Sequence, residues 1–257
     1  MIGSSVPLEI KNNADLKRLL ANEGESNTAW LDRVFQEGIA REGSLLLLGG
    51  NSMADFRVRV SQSHLRFDLT PSYWSMVGVL TAGGSLFTVP LEIAGDISEI
   101  PHVNAVREIE LSEFDDIEKF PNIAVIQVTT TPDKVVKYIE AMKLQRGLID
   151  LPALVLSWLG YVWCVGKQGN PLLNGEGLPS AVFAETLFGL AGIELTPGLA
   201  TASTCPEAIW QAAKWWASFY EQTSDFAAPV HAQSMVPKGC FVLRQPSAAI
   251  RPAPRKN

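Results

Sequence analysis

The chain has 257 residues, 47% hydrophobic and 19% charged, with a formal net charge of −6. Length and apolar content suffice for a buried core of ordinary globular type, while the acidic balance excludes the broad basic surface that nucleic acid requires. The one membrane-like stretch, residues 151–166, falls short of the ~20 apolar residues of a spanning helix and is interrupted by Pro152, Ser157 and Gly160.

Residues 15–22 carry Leu16, Leu19 and Leu20 at helical spacing, and residues 28–41 repeat the pattern with Trp30, Leu31, Val34 and Phe35. These predict two amphipathic helices, an N-terminal helical extension over residues 1–43. The main domain is expected over 44–243. It opens on a continuous apolar run at 44–48, suited to a strand buried on both faces. Residues 56–60 alternate and predict a half-exposed strand. Strands at 73–80 and 86–93 flank Thr81-Ala82-Gly83-Gly84, a hairpin signal. Residues 106–111 and 123–128 bring the expectation to about six strands.

The second half turns helical. Thr131-Pro132-Asp133 opens a helix that Gly147 closes, and residues 152–165 predict a buried helix. A glycine- and asparagine-rich loop follows at 169–177, then a helix that begins at Pro179-Ser180 and stops at Gly192. Thr204-Cys205-Pro206-Glu207 has capping-box spacing and starts an aromatic helix to about residue 220. Residues 241–243 suggest a last strand, and the basic, proline-rich residues 244–257 a disordered tail. Helices, antiparallel strands and helices in that order imply an α+β fold.

Two segments carry chemistry. Pro179-Ser180-Ala181-Val182-Phe183-Ala184-Glu185-Thr186-Leu187 leads to Ala191-Gly192-Ile193-Glu194-Leu195, and Tyr73-Trp74-Ser75-Met76-Val77-Gly78-Val79-Leu80 leads to Leu86-Phe87-Thr88-Val89-Pro90-Leu91-Glu92-Ile93. Across roughly residues 44–222 the chain resembles the circularly permuted, NlpC-type branch of the papain-like cysteine hydrolases, in which a histidine strand precedes the cysteine helix. The resemblance implies a papain-like antiparallel sheet packed by helices. It puts Ser180 at the cysteine position, Met76 at the histidine position and Glu92 at the position of the residue that orients the imidazole. It also implies a ligand groove formed by Trp74, Ser75, Asn174 and Pro179.

Hydrolysis of that type needs a thiolate at a helix N-terminus and an imidazole within hydrogen-bond reach. A serine hydroxyl without a base is not activated, and methionine has no basic nitrogen. The expectation is a catalytically degenerate protein that keeps a groove for a peptide, a cell-wall fragment, an acyl group or a protein partner. No cofactor and no metal are implied. Two readings stay open beside it. One is an active amidohydrolase, peptidase or acyltransferase that pairs Ser180 or Cys205 with a recruited histidine such as His64. The other is a structural or assembly module whose aromatic helix meets a partner.

Cys205, at a helix start, is expected to have a lowered pKa, and Cys164 reads as an inert core thiol. His102 and His231 read as surface residues, and Glu113, Asp115, Asp116 and Glu118 as a solvated acidic face. The three cysteines show no metal-ligand spacing and no secretory signal opens the chain, which predicts free thiols in the cytoplasm.

Overall fold

The computed structural model describes residues 16–81, 83–91, 102–128, 132–223 and 237–251. Its organising element is β2 (Leu45–Gly49), buried at every position. Consecutive leucines put apolar groups on both faces of this strand, so both must be covered. β3 (Met76–Leu80) and β6 (Asn122–Gln127) pair with it, one on each side and both antiparallel. β4 (Ser85–Thr88) and β5 (Arg107–Glu110) continue beyond β3, and β7 (Lys238–Leu243) beyond β6. β1 (Leu16–Arg18) lies parallel to β7 at the far edge, which gives a seven-stranded mixed sheet of order β1-β7-β6-β2-β3-β4-β5.

Leu45, Leu47, Val77, Val79, Ala124 and Ile126 share one core with the helices of the second half. These are α3 (Pro132–Leu144), α4 (Leu151–Val162), α5 (Pro179–Leu190) and α6 (Pro206–Thr223). Leu46, Leu48, Leu80, Ile123 and Val125 belong to a second core with Trp30, Leu31 and Val34 of α1 (Asn27–Gln36). The fold is therefore α+β, with a helical layer on each side of the sheet.

α5 is enclosed nearly all round: Ala181, Val182, Phe183, Ala184, Leu187 and Phe188 are fully buried. Proline at its first position costs nothing, because that N–H has no intrahelical partner. Trp158 of α4 donates its indole N–H to the Gly177 carbonyl at 2.8 Å and so fixes the chain just ahead of α5.

The predicted first helix is a correction. Residues 16–18 form β1 instead, and Leu19 extends the pairing by donating to the Phe241 carbonyl at 2.9 Å. The open edge of β7 offers partners for these backbone groups, and that outweighs a helical pattern too short to nucleate alone. Residues 16–19 thus belong to the sheet, while the second expected helix is present as α1 and residues 1–15 lie outside the described residues.

The strand expected at 56–60 is also corrected, because these residues lie within α2 (Met53–Ser61). So short an alternation does not discriminate between the two periods. Ser52 accepts from the Asp55 N–H at 3.1 Å and starts a helix. Arg59 is buried and donates to the Ser247 and Ala249 carbonyls at 2.7 and 2.5 Å. Those bonds, with Arg244 donating to Asn27 Oδ1 at 2.7 Å, hold residues 244–251 on the domain, where a disordered tail was expected. Residues 252–257 lie outside the described residues.

Glu207 departs from its expected capping role. Its fully buried carboxylate accepts from Ser72 Oγ at 2.5 Å and from Gln211 at 2.6 Å, and pairs with Arg66 at 3.5 Å. Among the described residues no helix is long and apolar enough to cross a membrane.

Asn27 joins α1 to the loops beneath it, its side-chain amide donating to the Phe114 and Phe120 carbonyls at 2.8 Å each. Asn27→Ala would leave both buried carbonyls and Arg244 without that partner. The expected loss is about 2–4 kcal/mol of unfolding free energy, read from urea denaturation.

Candidate functional site

The site forms where the end of β2 hands over to its neighbours. Leu48 pairs with Met76, the first residue of β3, and Gly49 pairs with Asn122 at the start of β6. A Cβ at Gly49 would collide with the Tyr73 carbonyl, so only glycine lets the segment before β3 come this close. Ser75 is fixed by backbone groups, accepting from the Gly50 N–H at 3.0 Å and donating to the Leu48 carbonyl at 3.4 Å.

α5 brings Ser180 to the same place from above the first core. Its side chain is 2% exposed, and Oγ accepts from the Val77 N–H at 3.4 Å, one residue past Met76. Met76 and Ser180 both line a cavity of about 880 Å³, together with Ser75. They reach it differently. Val77 belongs to the core beneath α5, whereas the alternating pleat packs Met76 against the second core, with Leu46 and Leu48. The cavity therefore extends around the end of the sheet.

Other segments complete the walls. α2 contributes its first turn, Ser52 to Asp55, with Arg57 and Val58; α4 contributes Leu159, Val162 and Trp163. Val89, Pro90 and Leu91 follow β4, and Phe114, Lys119 and Phe120 come from the loop before β6. The lining is mostly apolar, and its charges offset one another: Asp55 and Glu113 against Arg57 and Lys119. Arg57 is held in place by donating to the Val162 carbonyl, and Asp55 by accepting from Ser52 Oγ at 2.6 Å.

None of the described lining residues is a histidine. His64 is exposed on a 3-10 turn, with Nδ1 3.1 Å from the Ser61 carbonyl, and does not line the cavity. His102 is exposed, and His231 lies outside the described residues. Ser180 therefore has no described imidazole to take its proton, and its hydroxyl serves as a hydrogen-bonding group. Among the described residues no group of three His, Cys, Asp or Glu side chains could hold a metal ion.

Some expected groove residues lie elsewhere. Trp74 is fully buried in the first core, edge-on to Trp210 at 5.1 Å, because its large ring fills the space between β3 and α6. Asn174 is exposed on the turn Pro171–Asn174, which Asn170 ties to α2 by donating to the Ser61 carbonyl at 2.8 Å. Pro179 is buried in the first turn of α5 and is absent from the described lining. Glu92 lies outside the described residues. Sequence reasoning missed the contributions of α2 and α4; Ser52-Met53-Ala54-Asp55 has capping-box spacing and was the signal available for α2.

The lowered pKa expected for Cys205 is overturned. The thiol is fully buried, and loss of solvent pushes its pKa up to about 12, outweighing the hydrogen bonds from the Ala208 and Glu207 N–H groups. Cys240 is likewise raised to about 12 by burial. Cys164 is exposed just beyond α4, rather than a core thiol.

Comparison with protein-family models, curated proteins and solved structures finds no match for this chain.

A thiol whose folded pKa lies above its unfolded value, about 8.5, stabilises the fold below that value. The contribution is lost as pH rises toward 12. Unfolding free energy should accordingly fall from about pH 9 upward. At pH 8 a disulfide reagent should titrate Cys164 rapidly and reach Cys205 and Cys240 only after denaturation.

Proposed function

We propose that this chain is a permuted papain-like, NlpC-type domain that has lost its catalytic pair and uses the remaining groove to bind rather than to cleave. One observation carries the reading: the positions matching the nucleophile and the base, Ser180 and Met76, line one open cavity in which no described residue is a histidine. A serine at the start of a helix still offers a hydrogen bond, but without a base it does not become a nucleophile.

The ligand presents an apolar body to Val58, Leu159, Val162 and Phe120 and a polar group to Ser180. Within the classes set by the resemblance, an acyl group or an apolar peptide side chain fits this lining better than a sugar-rich cell-wall fragment, which would leave its hydroxyls unpaired. The three free thiols support a reducing, cytoplasmic setting.

The rival readings draw less support. An enzyme built on Cys205 would need a thiolate that burial suppresses, and His64 is spent on its own turn. A purely structural module would fill the cavity with side chains, yet about 880 Å³ stays open.

The pairing is tested by rebuilding it. Met76→His combined with Ser180→Cys should alkylate with iodoacetamide about tenfold faster near pH 7 than Ser180→Cys alone, because an imidazolium partner lowers the thiol pKa. Equal rates would remove the basis for the family reading. Binding is tested separately with anilinonaphthalene sulfonate in lipid-free buffer. The native chain should enhance its fluorescence, and Met76→Trp, which narrows the cavity, should reduce the enhancement.

A further inference from the structure

α2 is a wall of the cavity with little apolar burial to hold it there. Ala54, Arg57 and Val58 face the cavity at helical spacing, but Val58 is the one apolar side chain of α2 buried in the core. Arg59 projects from the opposite face and is 1% exposed. Its hydrogen-bond partners are the Ser247 and Ala249 carbonyls at 2.7 and 2.5 Å; its Nε has none, and no described carboxylate pairs with it. An apolar side chain would fill this space at lower cost. The guanidinium serves as a grip on those two carbonyls.

The segment so gripped also reaches the facing wall. Arg251 donates its N–H to the carbonyl of Asn51, just ahead of α2, at 2.8 Å. Its guanidinium pairs with Glu118 at 3.5 Å and Asp116 at 3.9 Å in the loop before β6, which supplies Lys119 and Phe120 to the cavity. Asn51 bonds across the same seam, donating to the Glu118 carbonyl at 2.5 Å and from its N–H to the Lys119 carbonyl at 3.2 Å. The segment itself is lightly seated: among residues 246–251 only Ser247 is buried. It follows the last strand, so it can leave without breaking any pairing of the sheet.

We infer that residues 246–251 form a strap, anchored on Arg59, that staples the start of α2 to the loop before β6, and that its release widens the cavity toward Ser180. The rest of α2 stays tied without the strap, Arg57 to the Val162 carbonyl and Asn170 to the Ser61 carbonyl at 2.8 Å. The first turn, Ser52 to Asp55, is the part left to swing. Ser180 lines the cavity yet is 2% exposed, so a reagent reaches position 180 when a wall moves. The inference concerns access alone and needs neither the family reading nor a particular ligand.

The test is iodoacetamide alkylation at position 180 of full-length Ser180→Cys, read peptide by peptide with exposed Cys164 as the internal reference. Adding Arg59→Met should speed alkylation at 180 about tenfold, since both grips on the strap are lost. Adding Arg251→Pro instead, which removes the N–H to Asn51 and the ion pairs, should speed it at least about threefold. Cys205 and Cys240 should stay unreacted in both, which separates release of the strap from unfolding. Should Arg59→Met expose those two thiols, Arg251→Pro, at a half-exposed position, decides alone. An unchanged rate at 180 in either folded variant overturns the proposal, as does full-length Ser180→Cys that already reacts as fast as Cys164. Reaction of Cys205 and Cys240 in Arg251→Pro also overturns it, because the strap would then be inseparable from the fold.

Discussion

Leu45, Leu46, Leu47 and Leu48 leave neither face of β2 to water, and the rest of the architecture answers that constraint. Each fully buried leucine is worth about 1.5–3 kcal/mol, so covering one face alone would forfeit half of that gain. α3 to α6 cover the face of Leu45 and Leu47; α1, with Phe114 and Phe120, covers the face of Leu46 and Leu48. The strand is short, and both layers therefore meet at its ends. A sheet with water on one side would have had no reason to gather so many segments around Leu48 and Gly49.

The cavity is a consequence of that convergence. Beyond Leu48 the pairing with β3 stops, and α2, α4, β3, α5 and the loop before β6 each send side chains into the space that remains. Its precise placement depends on a buried polar network behind β3. Glu207 holds Ser72, while Gln62 accepts from the Glu207 N–H at 2.9 Å and donates to the Trp74 carbonyl at 2.9 Å. These bonds fix residues 72–74 and so fix where Met76 begins its strand. Buried carboxylates of this kind specify position, since breaking one partner leaves a charge without solvent.

The chemistry of the molecule follows from where its polar groups lost water. Cys205 sits at the start of α6, where a helix end favours a thiolate, but complete burial prevails and raises its pKa. Ser180 also sits at a helix start and is nearly as buried, but it lines the cavity, and its hydroxyl accepts from the Val77 N–H. Cys205 shows that a helix N-terminus decides reactivity only together with its solvation. The outward face of α4 is the complementary case, an apolar surface that the core left uncovered.

Much was legible from local order. The leucine run announced a strand buried on both faces, Pro179 and Gly192 bracketed α5, and the paired glycines announced the turn between β3 and β4, because these signals lie within a few residues of what they govern. Trp74 could be read as groove or core, since pleat alone does not reveal which layer covers a face; packing against Trp210 decided it. Residues 16–18 took their conformation from β7, more than two hundred residues along the chain, and no local periodicity carries such information. The same holds for the cavity walls of α2 and α4. Sequence alone determined which segments are apolar and where helices could start. Which faces stayed open, which thiol lost its water and which side chains share one space were decided by tertiary packing, because each is a property of distant segments brought together.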